Sequence, residues 1–84
     1  MKFKAMVYVS LRAAVDDSAG NAVRAACGRL SDLNISKLRL GKAIDMKFEA
    51  PSYEHAKSEL QTLSSKFLAN TVIEDWSFDL EEDE

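Results

Sequence analysis

Leu38-Arg39-Leu40-Gly41-Lys42-Ala43-Ile44-Asp45-Met46-Lys47-Phe48-Glu49 holds two alternating runs on either side of a glycine. Leu38 and Leu40 alternate with Lys37 and Arg39; Ile44, Met46 and Phe48 alternate with Asp45, Lys47 and Glu49. Period-two alternation predicts two strands, and Gly41 between them predicts a hairpin turn. The parity conflicts, however. A two-residue turn at Gly41-Lys42 pairs Leu40 with Ala43 and Arg39 with Ile44, so the leucines and the Ile-Met-Phe set face opposite sides. Either the loop has three residues or a bulge, or both sheet faces are buried, and the burial of both faces is favoured because the first strand shows the same pattern.

That first strand occupies residues 3–11. Phe3, Ala5, Val7, Val9 and Leu11 share one face; Lys4, Met6, Tyr8 and Ser10 share the other. Asp16-Asp17-Ser18 then offers an N-cap, because a short side-chain oxygen accepts the free amides of a first helical turn. Ala19, Ala22, Val23, Ala26, Cys27 and Leu30 follow at steps of three and four, one apolar helix stripe. Gly28 in that helix suits a close approach by another backbone, and Asn34 suits a helix end. After the predicted hairpin, Ser52 caps a second helix with Tyr53, Ala56, Leu60, Leu63 and Phe67 on its stripe. Asn70 marks its end. Val72, Trp76, Phe78 and Leu80 form one face of a last strand.

The expected order is strand, helix, strand, strand, helix, strand. Right-handed crossovers fold it into an α+β, ferredoxin-like βαββαβ domain: a four-stranded antiparallel sheet with two helices on one face. Residues 1–80 make this single domain, and residues 81–84 make an acidic C-terminal tail. Two helices leave the other sheet face open. Met6 and Tyr8 on that face, or at an edge strand, are therefore expected at a self-contact, a dimer interface.

Composition removes several classes of function. Of 84 residues, 46% are apolar, and glycine and proline are few, so the chain is foldable. One cysteine and one histidine exclude a disulfide framework and a Cys- or His-clustered metal site. Net charge is −3, yet Glu81-Glu82-Asp83-Glu84 alone carries −4, so the body stands near +1. A near-neutral body argues against nucleic acid as a partner. No apolar run approaches membrane-spanning length, and the alternating N-terminus is no signal peptide. Unpaired Cys27 suits the reducing cytoplasm.

The residues offer little chemistry. His55 stands alone on a helix, a surface residue. Cys27 lies on an apolar stripe without an activating base. Glu74 and Asp75 are neighbours on a strand and point to opposite faces, so they cannot share a proton or a metal. No CxxC motif marks the first loop, no basic aromatic pattern suits RNA, and Arg12 is followed by two acidic residues that repel phosphate. Arg39 and Lys42, flanking Gly41, stand out instead as a surface for a protein partner.

Tyr8-Val9-Ser10-Leu11-Arg12, Asp17 with Gly20, Ala22 and Val23, Arg39-Leu40-Gly41-Lys42, and Leu68-Ala69-Asn70-Thr71-Val72-Ile73-Glu74-Asp75 together resemble the PurS family. PurS is the small subunit of phosphoribosylformylglycinamidine synthase, an enzyme of purine biosynthesis. The likeness runs almost end to end, and Leu68–Asp75 is its most specific piece. One departure is Ser18, where the family often has a proline in the first helical turn.

The resemblance implies a subunit without catalytic residues, cofactor or metal of its own. In such complexes a glutaminase subunit releases ammonia, and a synthetase large subunit uses Mg-ATP to activate the amide of formylglycinamide ribonucleotide. The small subunit, a homodimer or higher oligomer, bridges the two. Among positions matching the family, Gly41 is expected as a turn glycine and Asn70 as a helix-end residue. Arg39, Lys42, Glu74 and Asp75 have no evident core role and are expected at partner contacts. An ACT-like regulatory domain that binds a small ligand shares the topology and is the alternative.

Overall fold

A computed structural model describes residues 1–83. Strand β1 (Lys2–Leu11) is central, with β2 (Gly41–Glu49) on one side and β3 (Glu74–Glu82) on the other, both antiparallel to it. Helix α1 (Ser18–Leu30) separates β1 from β2. Helix α2 (Tyr53–Leu63) and a π-helical turn, Ser64–Leu68, separate β2 from β3.

The sheet has three strands, not the four expected. Residues 31–40 form no strand, so the predicted hairpin at Gly41 does not exist. The parity conflict has this cause: Leu38 and Leu40 never pair with β2, so their parity against it is irrelevant. The remaining three strands keep the order a ferredoxin-like sheet would have without its second strand. Both flanking strands are edges with one unpaired row of backbone groups.

The register builds apolar rungs across the inner face. Ile44, Val7 and Phe78 line up, as do Met46, Ala5 and Leu80. Phe3 stacks on Phe48 at 5.9 Å between ring centroids. Phe3, Val7, Val9 and Leu60 are fully buried, and α2 supplies Ala56 and Leu60 as the lid. Burial of four such side chains, each stabilising by about 1.5–3 kcal/mol, is the main source of cohesion.

Helix α2 and the segment after it, with Leu68 and Ala69, cover this face. Helix α1 contributes no residue to the buried apolar core, and most of its apolar stripe is exposed. The molecule is accordingly drawn out, 50 × 29 × 14 Å with a radius of gyration of 16.4 Å. A compact chain of this length has about 12 Å. The expectation of two helices on the sheet thus holds for one of them. In α1 only Gly20 is buried and Ala26 and Cys27 are half-buried, while Val23 and Leu30, and Leu33 beyond the helix, are exposed.

The far face is not apolar either. Around Met6 and Tyr8 it carries Lys4, Lys47, Asp45, Asp79 and Glu81, with Lys4 3.5 Å from Glu81. Within the single chain this face is polar and largely exposed, and no helix of the chain buries it.

The acidic end is partly structured. Glu81 and Glu82 belong to β3, and the Asp83 N–H donates to the Lys2 carbonyl at 2.8 Å. Three of the four residues expected in a free tail are therefore held against the sheet; Glu84 lies outside the described residues.

Candidate partner-binding surface

The excursion from β1 to β2 is closed at its base by a neck of side-chain hydrogen bonds. Asp17 caps α1, its Oδ1 accepting the Gly20 N–H at 2.8 Å. Its Oδ2 accepts the Leu40 N–H, also at 2.8 Å. Arg39 donates through Nη2 to the Arg12 carbonyl at 2.9 Å and the Val15 carbonyl at 2.8 Å. Three of these four bonds tie the start of the arm to its end, and the fourth caps α1. Asp17 is 5% exposed. The amides of Leu40 and Gly20 hold its carboxyl below the usual 3.8, helped by the Arg39 charge and opposed by burial.

The arm between these ends is amphipathic but unpartnered. Ser31 closes α1, its hydroxyl donating to the Cys27 carbonyl at 2.7 Å, so the helix stops before the expected Asn34. Arg24 donates to the Ile35 carbonyl at 2.6 Å and folds the returning chain against the helix. Gly28 meets nothing within 4 Å of where a side chain would sit, so the close approach expected there is not made within this chain.

The residues expected at partner contacts converge. Arg39, Lys42, Glu74 and Asp75, far apart in sequence, all lie at the end of the sheet where β1 finishes and β2 and β3 begin. Glu74 is opposite Leu11 and Asp75 opposite Ser10, so the two carboxylates do take opposite faces. Lys42 and Glu74 line a shallow cleft of about 190 Å³ with Asp17 and Gly41. Arg39 and Asp75 line another of about 540 Å³ with Lys37 and Ser10. Asp75 lies 3.6 Å from the Arg12 Nε. Arg39 and Glu74 nevertheless have internal roles that the sequence did not disclose. Arg39 holds the neck, and the Glu74 carboxylate accepts the Asn70 N–H at 2.7 Å. Lys42 and Asp75 are exposed.

The two structural positions also take specific form. Gly41 is not a turn glycine: it lies in β2, and no described glycine has a positive φ. A side chain there would sit 2.8 Å from the Val9 carbonyl oxygen, so the requirement is close backbone approach. Asn70 follows the helical segment, as expected, and builds the turn into β3. Its side chain accepts the Val72 N–H, and its carbonyl accepts the N–H groups of Ile73 and Glu74.

Met6 is partly buried and Tyr8 is 45% exposed, its hydroxyl donating to Asp79 at 3.3 Å. Desolvation and the Asp79 charge raise the Tyr8 phenol above its ordinary value. An apolar far face, the ground for placing a self-contact here, is absent. Exposed apolar residues lie elsewhere: Val23 and Leu30 on α1, then Leu63, Phe67 and Val72. The sequence stripes contained this signal, but they read equally well as core.

His55 is exposed, its Nε2 4.0 Å from Glu59 one turn on. Among the described residues, no group of three or more His, Cys, Asp or Glu is placed to share a metal ion. No helix among them is long and apolar enough to cross a membrane.

Fold and surface together define a small α+β module shaped for assembly: a half-covered sheet, a tethered helical arm and a polar cluster at one end. Comparison with known proteins narrows the class. The PurS family model, described as phosphoribosylformylglycinamidine (FGAM) synthase, matches residues 4–82. The PurS subunit of phosphoribosylformylglycinamidine synthase from Synechocystis is 40% identical over 74 residues, 88% of this chain and 74% of that protein. The solved structure of Bacillus subtilis PurS superposes with a TM-score of 0.82 at 35% identity, covering 95% of this chain and 99% of that one. A chain in the structure of PurLQS from Thermotoga maritima superposes with a TM-score of 0.88 at 28% identity, covering 96% and 99%. The chain belongs to the PurS family of phosphoribosylformylglycinamidine synthase subunits.

Proposed function

We propose that this chain is the bridging subunit of a three-component phosphoribosylformylglycinamidine synthase in the cytoplasm. It works as a homodimer between the synthetase large subunit and the glutaminase subunit, and helps form the complex through which ammonia passes. Mg-ATP and the amidation chemistry belong to the large subunit; this chain contributes surfaces. One observation carries the reading: an end-to-end likeness to a chain found in a PurLQS structure, joined to a drawn-out shape with unpartnered apolar residues.

Lys42 and Asp75 are the contacts to the larger subunits. They stand exposed at the end of the sheet where the four singled-out residues converge. Arg39 and Glu74 shape that end from within. The test is co-purification from cell extract with a tagged chain. A synthetase and a glutaminase should come down with the wild type, and Lys42→Glu should weaken their recovery without unfolding the chain. Recovery of neither protein with the wild type would overturn the bridging role. Equal recovery with Lys42→Glu would remove Lys42 from the interface.

A further inference from the structure

The outer edge of β3 is an open strand position. The sheet order is β2-β1-β3, so β3 is hydrogen-bonded along one side only. Its phase on β1 is fixed at both ends. The Arg12 N–H donates to the Ile73 carbonyl at 2.9 Å, and the Asp83 N–H donates to the Lys2 carbonyl at 2.8 Å. In an antiparallel ladder every second residue bonds inward. Asp75, Ser77, Asp79 and Glu81 therefore turn their backbone groups to β1, and Trp76, Phe78 and Leu80 turn theirs outward. The Glu74 amide, next in the outward row, is taken by the Asn70 carbonyl. Among the described residues, nothing takes the outward groups of the other three.

The usual guards of a sheet edge are absent from β3. Pairing runs from Glu74 to Glu82 with no bulge, no proline and no lysine. The side chains at the outward positions are apolar. Trp76 and Phe78 stack with ring centroids 6.0 Å apart, and both, like Leu80, are only half-buried. An edge of this kind takes up an extended chain through main-chain hydrogen bonds. Charge selects which chain. The nine residues of β3 include five carboxylates and no base. Lys4, 3.5 Å from Glu81, and Arg12, 3.6 Å from Asp75, offset two of them, while Asp79 bonds the neutral Tyr8 hydroxyl. A second β3 laid against this edge would set carboxylate beside carboxylate, which is destabilising. The outer row of β2, with Asp45, Lys47 and Glu49, has no comparable bias.

We propose that β3 accepts an extended segment of one of the two larger subunits as a further strand of the sheet, and that this segment alternates lysine or arginine with apolar residues. Its basic side chains lie over Asp75, Asp79 and Glu81, and its apolar ones continue the row of Trp76, Phe78 and Leu80. This rests on the bridging role proposed above and specifies one of its contacts. The edge begins at Asp75, already assigned to a partner contact, so the two surfaces are continuous. The carboxylates that hold a basic strand also repel another β3, so one feature both attracts the partner and keeps the edge open for it.

A backbone N-methyl group at Phe78 tests this. The Phe78 N–H points away from β1, so the methyl group spares the ladder between β1 and β3 and blocks an added strand. The 84-residue chain is assembled synthetically by ligation at Cys27, its one cysteine. Tagged and mixed with cell extract, the methylated chain should melt as the unmethylated one does and recover the synthetase, the glutaminase or both about tenfold less. Equal recovery of both would overturn the added strand and leave the bridging role standing. Recovery of neither by the unmethylated chain would overturn both. Hydrogen exchange on the unmodified chain decides the matter even if the methylated chain fails to fold. The amides of Trp76, Phe78 and Leu80 should exchange rapidly in the free chain and about tenfold or more slowly in the recovered complex. Unchanged rates in the complex would overturn the proposal. Slow exchange of these three amides already in the free chain would mean that another copy holds the edge, and would overturn it too. Ser77 is exposed within the acidic row, so Ser77→Lys should reduce recovery and Ser77→Glu should not. Equal recovery with these two variants would overturn the basic partner strand.

Discussion

Asp17 and Leu40 are joined by a 2.8 Å hydrogen bond, from the Leu40 N–H to the Asp17 carboxylate, although 23 residues separate them. The same carboxylate caps α1. One side chain therefore starts the helix and fixes where the chain that follows it must return. This coupling turns residues 18–38 from a loose loop into an arm of defined direction.

Stability should respond to acid through Asp17. Its folded-state pKa lies below the ordinary 3.8 because two amides donate to the charged form. The unfolded chain therefore binds this proton first as pH falls. The stabilisation is complete above about 3.8 and disappears as pH drops through the folded-state value. Urea unfolding between pH 5 and about 2 should show a slope that Asp17→Asn reduces, since Asn still caps but carries no charge. An unchanged slope would mean that other carboxylates account for it.

Removing Arg39 should loosen the neck. Its guanidinium bonds two carbonyls, and hydrogen bonds from a charged donor contribute about 1.5–3 kcal/mol when partly shielded. Arg39→Ala should destabilise by about 1–3 kcal/mol, read from the denaturant midpoint. Lys42→Ala, with an exposed side chain, should shift it by no more than about 0.5 kcal/mol. Equal effects would show that the neck contributes nothing.

The core should be intolerant where α2 closes it. Leu60 is 1% exposed against β1. Leu60→Ala leaves a cavity and should cost about 2–5 kcal/mol, a large share of the about 5–15 kcal/mol typical of a domain. Thermal unfolding measures this directly. A loss under about 1 kcal/mol would mean that the helix relaxes into the gap.

Two glycines should behave oppositely. Gly41→Ala places a carbon against the Val9 carbonyl oxygen and should destabilise by about 1–3 kcal/mol. Gly28→Ala meets open space within α1 and should stabilise by up to about 1 kcal/mol. Paired thermal melts decide both, and destabilisation by Gly28→Ala would point to a close neighbour in the assembled protein.

Tyr8 tests which face assembles. Tyr8→Asp adds a like charge beside Asp79 on the polar face and should lower the melting temperature slightly while leaving the oligomer unchanged. Dissociation of the oligomer would return the self-contact to this face.

Local patterns were enough for much of this molecule. Alternation from Phe3 to Leu11 determined β1 and its inward face, because a strand's side chains must alternate. Ser52 and Asp17 determined where helices start, because their oxygens reach free amides three residues on. The run Leu68–Asp75, with its companions, determined the family. What the sequence could not decide were matters of distance across the chain. Leu38 and Leu40 alternate as a strand does, yet form none, because Arg39 and the Leu40 amide are engaged by residues 12–17 instead. The α1 stripe reads as core in any amphipathic helix, and only the tertiary structure shows it left out of the chain's own core. Periodicity tells which side of a helix is apolar; the neck at Asp17 and Arg39 decides where that side points.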